Sequence, residues 1–363
     1  MSPLRLLALA AALALAAPAA LAQPAPATAA FTDSTVAGLA PTKRVAISTV
    51  VVEYQISVAA LKEAGTTLFS NRTSVSSLLS VSGLDLDLED AIAAKAYETL
   101  KAQLSAAGYE VVPEAEVKAS PAYAQIEKLM GMPANTKFAN AMGDAMFTVA
   151  PGLTNYLPYI GEAGVFAQPK SYIGFTSAFG GKSATSGGPS MMSQSNGWKL
   201  PGLEVQLAKE LNANVVKANY MVSLGSVTAT KKREINSDVE TYRDSFWSYG
   251  GSGNASVGVG LMADQTRIAF RSPTGNNKWQ KVSMLKVAPP KDGDVVVRLA
   301  NSLEGGGSFF DVQSSKKERG VLMGGADMQF VFDGRITDRT GYRQKLNAMI
   351  EEANIAMVAA VKR

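Results

Sequence analysis

Two serine–lysine pairs have a spacing that is used in nucleophilic catalysis. Ser283 and Lys286 stand three positions apart, as do Ser314 and Lys317, which matches the Ser-x-x-Lys motif of a serine nucleophile and its lysine. Both pairs lie in segments that favour strands or turns, and no Lys-Thr-Gly pattern accompanies either of them. Because serine and lysine are common in this chain, chance explains the spacing better than catalysis does.

An acidic cluster offers oxygen ligands for a hard cation. It consists of Asp85, Asp87, Glu89 and Asp90, but the Asp-x-Asp-x-Asp-Gly form of a calcium loop is missing. Acidic residues are also favoured at a helix N-terminus, where they cap the backbone and oppose the helix dipole. We therefore interpret the cluster as the start of a helix and predict no metal site.

A glycine-rich segment resembles the end of a phosphate-binding loop. Gly180, Gly181, Lys182 and Ser183 follow one another, but the loop requires an earlier glycine where Thr176 stands. No buried strand leads into the segment and no helical pattern follows it. A flexible loop is the better interpretation, and we predict no bound nucleotide cofactor.

The composition excludes several classes of active site. The 363 residues include no histidine and no cysteine, so a Ser-His-Asp triad, a cysteine nucleophile and a thiolate zinc site are ruled out. A pair of catalytic carboxylates stays open, because the fold and not the sequence sets the distance between them. We predict a non-enzymatic protein with no catalytic residues and no cofactor, and keep a carboxylate or Ser-Lys hydrolase as the least favoured alternative.

The first residues are typical of a bacterial secretory signal. Arg5 precedes the apolar run Leu6–Ala17, and small residues occupy both key positions of Ala20-Leu21-Ala22. We expect a signal peptide over 1–22, a flexible Ala/Pro/Thr-rich leader over 23–42, and export to the periplasm, the outer membrane or the outside of the cell. The net charge of +4 is too near neutral to indicate nucleic acid. Any membrane association would involve the protein surface or partner proteins.

The remaining chain predicts an α/β domain, with a mixed sheet flanked by helices, in two parts. The first part is 43–130, where β-branched residues predict a strand buried on both faces, followed by a long loop or hairpin. An i, i+4 apolar stripe then predicts a helix that ends at Gly108. The predicted elements in order are the strand Val45–Val52, a polar stretch to Ser82, a helix from Asp87, the strand Tyr109–Val112 and a helix from Ser120 to Met130.

A large insertion is expected over 131–200, with a short helix around Phe138–Met146. The second part, 201–363, carries a β-rich extension with additional hairpins and closes with a helix over Gly341–Val361. Its other predicted elements are a helix from Pro201 and strands at Ala213–Thr230, Ala255–Leu261, Arg267–Arg271, Lys278–Val287, Asp294–Leu299, Ser308–Val312 and Met328–Phe332.

One predicted strand has an unusual composition. In Ala255–Leu261, apolar side chains alternate with serine and glycine. A face with so little bulk belongs either to a sheet that packs closely against another element or to a strand of an assembled barrel with small residues on its lumen face, and we favour the ordinary sheet.

Read in order, these segments resemble a bacterial envelope family. Five pieces match in order: the buried strand Val45–Val52, the helix, glycine and strand of Ile92–Pro113, the segment Leu203–Val227, the segment Ala255–Gly275 and the C-terminal helix. Within Leu203–Val227, a helix ends in Leu-Asn-Ala-Asn and leads into the strand Tyr-Met-Val-Ser-Leu-Gly-Ser-Val. In this order they are similar to the periplasmic α/β domains of curli-secretion channel proteins, of the penicillin-binding-protein activator LpoB and of the flagellar protein FlgT. The resemblance implies a scaffold, an activator or a ring-forming subunit that works without catalysis.

We therefore expect a scaffold or assembly subunit that forms homo-oligomers, ring-like in the resembling family, or docks on another envelope protein. The expected partner contacts are aromatic: Phe147, Tyr156, Tyr159 and Phe166 in the insertion, and Phe309 with Phe310 near the C-terminus. Internal packing is the alternative for all six. A secreted carbohydrate- or peptide-binding module is the alternative function, with Trp198, Trp247 and Trp279 as stacking surfaces.

Overall fold

A computed structural model describes residues 30–32, 41–64, 73–131, 137–140, 143–154, 156, 200–235, 247–263, 265–275, 294–322 and 325–361. The mixed α/β fold expected from the sequence is confirmed. Five helices of the described residues are α1 Leu86–Ala106, α2 Glu114–Ala119, α3 Pro121–Met130, α4 Leu200–Glu210 and α5 Arg339–Ala359. The first seven strands are β1 Ala30–Thr32, β2 Arg44–Gln55, β3 Ser57–Ala64, β4 Thr73–Ser82, β5 Glu110–Val111, β6 Lys137–Asn140 and β7 Gly143–Val149. The others are β8 Asn214–Ile235, β9 Trp247–Leu261, β10 Arg267–Arg271, β11 Asp294–Leu299, β12 Leu303–Gly306, β13 Phe310–Leu322 and β14 Gly325–Ile336.

A ten-stranded mixed sheet forms the body of the protein. Its main order is β1-β11-β10-β8-β2-β7-β6, with β5 beside the start of β2, β9 beside the end of β8, and β12 beside β9. Strands β2 and β8 run parallel at its centre. The predicted core strands at 45–52, 109–112, 215–227 and 255–261 all contribute to this sheet.

Helices cover both faces of the body sheet. On one face, α1 and α5 pack on apolar residues of β2, β8, β10 and β11. On the other face, α2, α3 and α4 bury a second apolar cluster against the starts of β2 and β8. Strand β2 is buried from Val45 to Gln55, as its nearly continuous apolar composition predicted.

A one-residue bulge in β2 explains why its residues do not follow one simple alternation between the two faces of the sheet. The pairing of β2 with β8 shifts between Ile47 and Thr49, so Ser48 is the additional residue. Val45 and Ile47 face α1 and α5 before the bulge, and Val50 and Val52 do so after it. The bulge thus exchanges the two faces of the strand at its midpoint, because side chains alternate with a period of two.

Most helix ends match their sequence signals. Gly108 has φ of +89°, and the N–H groups of Gly108 and Tyr109 bond the carbonyls of Ser105 and Leu104, which is the Schellman pattern. Ser120 caps α3, with its side chain accepting from the N–H of Tyr123. The N-cap position of α1 is Asp85 and not Asp87, and the Asp85 side chain makes no capping hydrogen bond.

A second sheet of four strands, in the order β13-β14-β4-β3, packs on β8 and β9. The polar stretch before Ser82 forms the β3–β4 hairpin of this sheet, so the hairpin alternative holds. Strand β4 runs parallel to β14, although about 250 residues separate them in the chain.

The short helix expected around Phe138–Met146 is wrong. Residues there form the β6–β7 hairpin, and β7 pairs antiparallel with Val51–Gln55 of β2. Ala145, Met146, Phe147 and Thr148 are all buried, so a strand is favoured by tertiary pairing and not by local pattern. The body sheet therefore continues into the segment that was expected to be an insertion.

Candidate functional site

The strands with the most unusual length and pairing lie where the body sheet meets the four-stranded sheet. Strand β8 has 22 residues, compared with about 5–6 in a typical strand. Its first half pairs with β2 and β10, whereas the half after Gly225 pairs with β9 alone among the described strands. We call this later half of β8, together with β9, β3, β4, β13 and β14, the open-edged region.

Four backbone edges of the open-edged region have no partner strand among the described residues. They belong to β3, to β13, to the later half of β8, and to β9 before its short pairing with β12 at Val259–Leu261. An uncovered strand edge presents N–H and C=O groups that can pair with another chain. Val312 on β13 is 39% exposed and is the one large apolar side chain classed as exposed among the described residues.

Small residues bring the two sheets of this region close together. A Cβ atom on Gly225 would lie 2.6 Å from Cδ2 of Leu79, and one on Gly253 would lie 2.7 Å from Cβ of Phe330. The Ser77 hydroxyl donates to the carbonyl of Thr228 at 2.9 Å across the interface. Gly225 and Gly253 therefore serve close packing between the two sheets, whereas Ser256, on the small-residue face of Ala255–Leu261, is exposed and bonds the exposed Ser226.

A buried charged triad links α4 to the body sheet. Glu204 has no exposed surface, and its carboxylate lies 2.7 Å from Nζ of Lys217 and 2.9 Å from Nε of Arg271. Charges are buried only when they are paired, because an isolated ion in the interior is strongly disfavoured. The triad therefore fixes the position of α4 against β8 and β10.

A second polar cluster surrounds the bulge at Ser48. Its hydroxyl lies 2.8 Å from that of Tyr156, and its carbonyl accepts from Tyr123 at 3.2 Å. The Tyr123 hydroxyl in turn accepts from the N–H of Thr154 at 2.7 Å. The hydroxyl of Thr49 donates to the Thr154 carbonyl at 2.9 Å. These bonds satisfy the backbone that the bulge disturbs and attach Thr154 and Tyr156 to the body sheet.

A third polar cluster is incompletely satisfied. Glu89, Tyr54 and Tyr342 are fully buried, yet Oε1 of Glu89 and the phenol oxygen of Tyr342 lack a hydrogen-bond partner among the described residues, and the Tyr54 phenol has only the Thr148 side chain as a polar neighbour there. The other carboxyl oxygen of Glu89 accepts from the N–H of Asp85 at 2.9 Å. Buried polar groups without partners are uncommon in folded proteins, so this cluster differs from the one at Ser48.

Burial changes the acidity of this third cluster. Loss of solvent raises the pKa of Glu89 to about 7, although the N–H of Asp85 and the charge of Arg339 act in the opposite direction. Burial, and then the Glu89 charge, raise the pKa of Tyr54 well above its usual range. Burial also raises the pKa of Tyr342, with contributions from Tyr54 and Glu89. The three groups therefore lie within electrostatic reach of one another.

The aromatic residues expected to contact partners are placed mostly inside. Phe147 and Tyr156 have no exposed surface, so the alternative of internal packing describes their positions. Phe310 is 9% exposed and packs edge-on against Tyr342, with ring centroids 6.0 Å apart. Phe309 is partly buried against the same core. Tyr159 and Phe166 lie outside the described residues, so partner contact stays a prediction for them.

The other sequence candidates are not brought together by the described structure. Trp198, Trp279 and the Ser283–Lys286 pair lie outside the described residues. Trp247 begins β9, and Ser314 and Lys317 lie within β13. Within the described ranges, no group of three or more acidic residues is arranged to hold a metal ion.

The sequence interpretation missed the importance of two glutamates, although a signal for each was present. Glu204 stands four positions after Leu200 and three before Leu207, on the buried stripe of α4. Glu89 stands three positions before Ile92, at the start of the buried stripe of α1. An acid on an apolar stripe predicts either a buried partner or a raised pKa.

No protein-family model matches this chain, and no curated protein or solved structure matches it significantly. Within the described residues, none of the helices has both the length and the apolar composition needed to span a membrane.

Proposed function

We propose that this protein is a non-enzymatic, exported subunit of a bacterial envelope assembly, and that its copies associate through the strand edges of the open-edged region. The observation that carries the proposal is that the long strands β3, β8, β9 and β13 have edges without a partner strand among the described residues. Its export and its envelope location are supported by the signal-like residues 1–22 and by the family resemblance of the sequence.

Strand pairing between copies suits these edges chemically. Strand β13 has 13 residues and β3 has 8, and each pairs on one side only among the described strands. A soluble protein usually protects such edges with short strands, prolines or coverage by another element. Pairing with a second copy supplies the missing backbone bonds without requiring any change in the fold.

The edge of β13 also carries an apolar side chain. Val312 follows the exposed Asp311 and precedes a bulge in the pairing of β13 with β14. Because Val312 is only 39% exposed, burying the remaining area would stabilise a contact by roughly 1 kcal/mol. An association surface at β13 would therefore combine new backbone bonds with burial of this valine.

The first test is the mass of the purified exported chain, measured by light scattering over a range of concentrations. We expect a stable assembly of several copies. A strict monomer at high concentration would contradict the proposal and would favour the alternative of a binding module.

A variant of the edge makes the test specific. We expect Val312→Lys to lower the mass of the assembly toward that of the monomer, because a lysine on an edge strand opposes pairing between chains. Its free energy of unfolding should change by only about 0.5 kcal/mol or less, since the position is on the surface.

The matched control is Ala102→Lys, which adds the same charge on the exposed side of α1. This variant should keep the mass of the parent protein. Equal loss of assembly in both variants would indicate a general charge effect and would count against the edge of β13.

A further inference from the structure

The third polar cluster, formed by Glu89, Tyr54 and Tyr342, lies at the junction where the four-stranded sheet connects to helices α1 and α5. Residues 83–85 connect β4 to α1, and residues 337–338 connect β14 to α5. Nη1 of Arg339 lies 2.9 Å from Oδ2 of Asp85, which joins the starts of the two helices. Both connections from this sheet into helices therefore pass the place where Glu89 is buried.

Glu89 is held there by few polar contacts. The N–H groups of Asp85 and of Glu89 itself donate to the carboxyl group, and Oε1 has no partner among the described residues. A neutral carboxyl group can be buried in such a place at modest cost. An ionised one needs several donors, and an isolated buried charge is strongly disfavoured.

Charges of both signs act on Glu89 from the elements around it. The charge of Asp85, in the cap of the same helix, raises the pKa of Glu89, and Arg339 of α5 lowers it. Strand β2 supplies Tyr54, α5 also supplies Tyr342, and Asp90 acts on Tyr54. Strand β7 supplies Thr148, which does not titrate and whose hydroxyl donates to the Glu89 carbonyl at 3.3 Å.

We propose that Glu89 is a proton-operated latch: protonated, it holds the first turns of α1 and α5 at the junction, and ionised, it loosens them together with the attached four-stranded sheet. This regulation goes beyond the proposed assembly function and does not depend on it. It concerns the interior of a single chain.

The direction of the pH effect follows from linkage. Burial raises the pKa of Glu89 from its ordinary value of 4.5 to about 7. An opened junction would expose the carboxyl to water and restore the ordinary value, so the closed form binds the proton more tightly. The closed junction is therefore fully stabilised below about pH 4.5 and loses this stabilisation as the pH rises to about 7. Over this interval the equilibrium constant for opening should rise by up to about tenfold per pH unit.

Hydrogen exchange of three amides reports this opening directly. The N–H groups of Leu88 and Glu89 bond the Asp85 carbonyl, and the N–H of Tyr342 bonds the Asp338 carbonyl. After correction for the intrinsic pH dependence of exchange, their protection factors should fall by up to about tenfold per unit from pH 5 to pH 7 and then level off. Protection that stays constant over this interval would overturn the proposal.

Glu89→Gln removes the titration while keeping the shape of the side chain. We expect its protection factors at the three amides to be independent of pH. The matched control, Asp87→Asn, removes the same charge from an exposed position in the same first turn, and it should keep the pH profile of the parent protein. A Glu89→Gln protein that retains the parent profile would contradict the latch.

A direct titration covers the case in which Glu89→Gln does not fold. The carboxyl carbon of Glu89 in the unaltered protein can be followed by NMR as the pH is changed. A midpoint near 7 supports the latch, and a midpoint near 4.5 overturns it.

Discussion

The two halves of strand β8 are built in opposite ways. In the first half, Val215, Val216 and Tyr220 are buried between helices, and both edges pair with β2 and β10. In the later half, Ser226 and Thr228 are exposed, and one edge has no partner among the described strands. One continuous strand therefore passes from the centre of the body to an uncovered margin.

Under the proposed function, the first half of β8 would provide stability and the later half would provide the surface for association. The first half is fixed by buried charges and tyrosine hydrogen bonds, including Tyr220 with Asn354 at 2.6 Å. The later half is held by close packing of small residues and leaves backbone groups for another chain. Variants of the first half should destabilise the whole fold, whereas variants of the later half should act locally or on assembly.

Glu204→Ala should have the largest effect. It removes the carboxylate shared by Lys217 and Arg271, both of which are buried. Breaking a buried ion pair costs about 3–5 kcal/mol, and we expect a decrease of that size in the free energy of unfolding measured with urea.

The control for this variant is Glu98→Ala, which removes an exposed glutamate that lies 3.8 Å from Lys101. An exposed pair contributes about 1 kcal/mol or less. If Glu204→Ala cost no more than Glu98→Ala, the triad would not fix α4 on the first half of β8.

Tyr123→Phe should have the next largest effect. It leaves the Ser48 carbonyl and the Thr154 N–H without the phenol that bonds both. Each buried group without a partner costs about 1–3 kcal/mol, so we expect a loss of about 3 kcal/mol in urea unfolding.

Tyr342→Phe tests whether the third polar cluster differs from the cluster at Ser48. Its hydroxyl is also buried but has no partner among the described residues, so its removal should change the stability by about 0.5 kcal/mol or less. Equal losses in the two phenylalanine variants would show that the two clusters do not differ as described.

Gly253→Ala should have a smaller and local effect. The added methyl group would approach Ser77 and lie 2.7 Å from Cβ of Phe330. Overpacking of this kind costs about 2 kcal/mol, and hydrogen exchange should show the loss mainly in β4, β9 and β14.

Its control is Gly202→Ala on α4, where an added Cβ atom meets nothing within 4 Å. A helical glycine replaced by alanine gains up to about 1 kcal/mol. Loss of stability spread evenly over the body in Gly253→Ala would contradict the separation of the two regions.

Much of the body could be predicted from local sequence. The strands Arg267–Arg271 and Asp294–Leu299 are confirmed with the same bounds. Gly108 and Ser120 mark the helix ends correctly, because caps depend on one or two residues. The buried composition of β2 also predicted its central place in the sheet.

Long-range pairing could not be predicted in the same way. Strand β7 is a strand because it pairs with β2, and β4 lies beside β14 across about 250 residues of chain. The aromatic side chains of Phe147 and Tyr156 were expected to contact partners, but strand pairing and the Ser48 bulge place them inside. Composition alone does not distinguish an interface from a core, since both are rich in aromatic residues.

The most direct test of the central claim compares the two halves of β8 by hydrogen exchange at low and high protein concentration. The account predicts that amides of Val215–Val222 are protected at every concentration. It predicts that alternate amides between 225 and 235, and those on the outer edge of β13, gain protection only when the copies associate. Association without any new protection at these edges, or the absence of association, would contradict it.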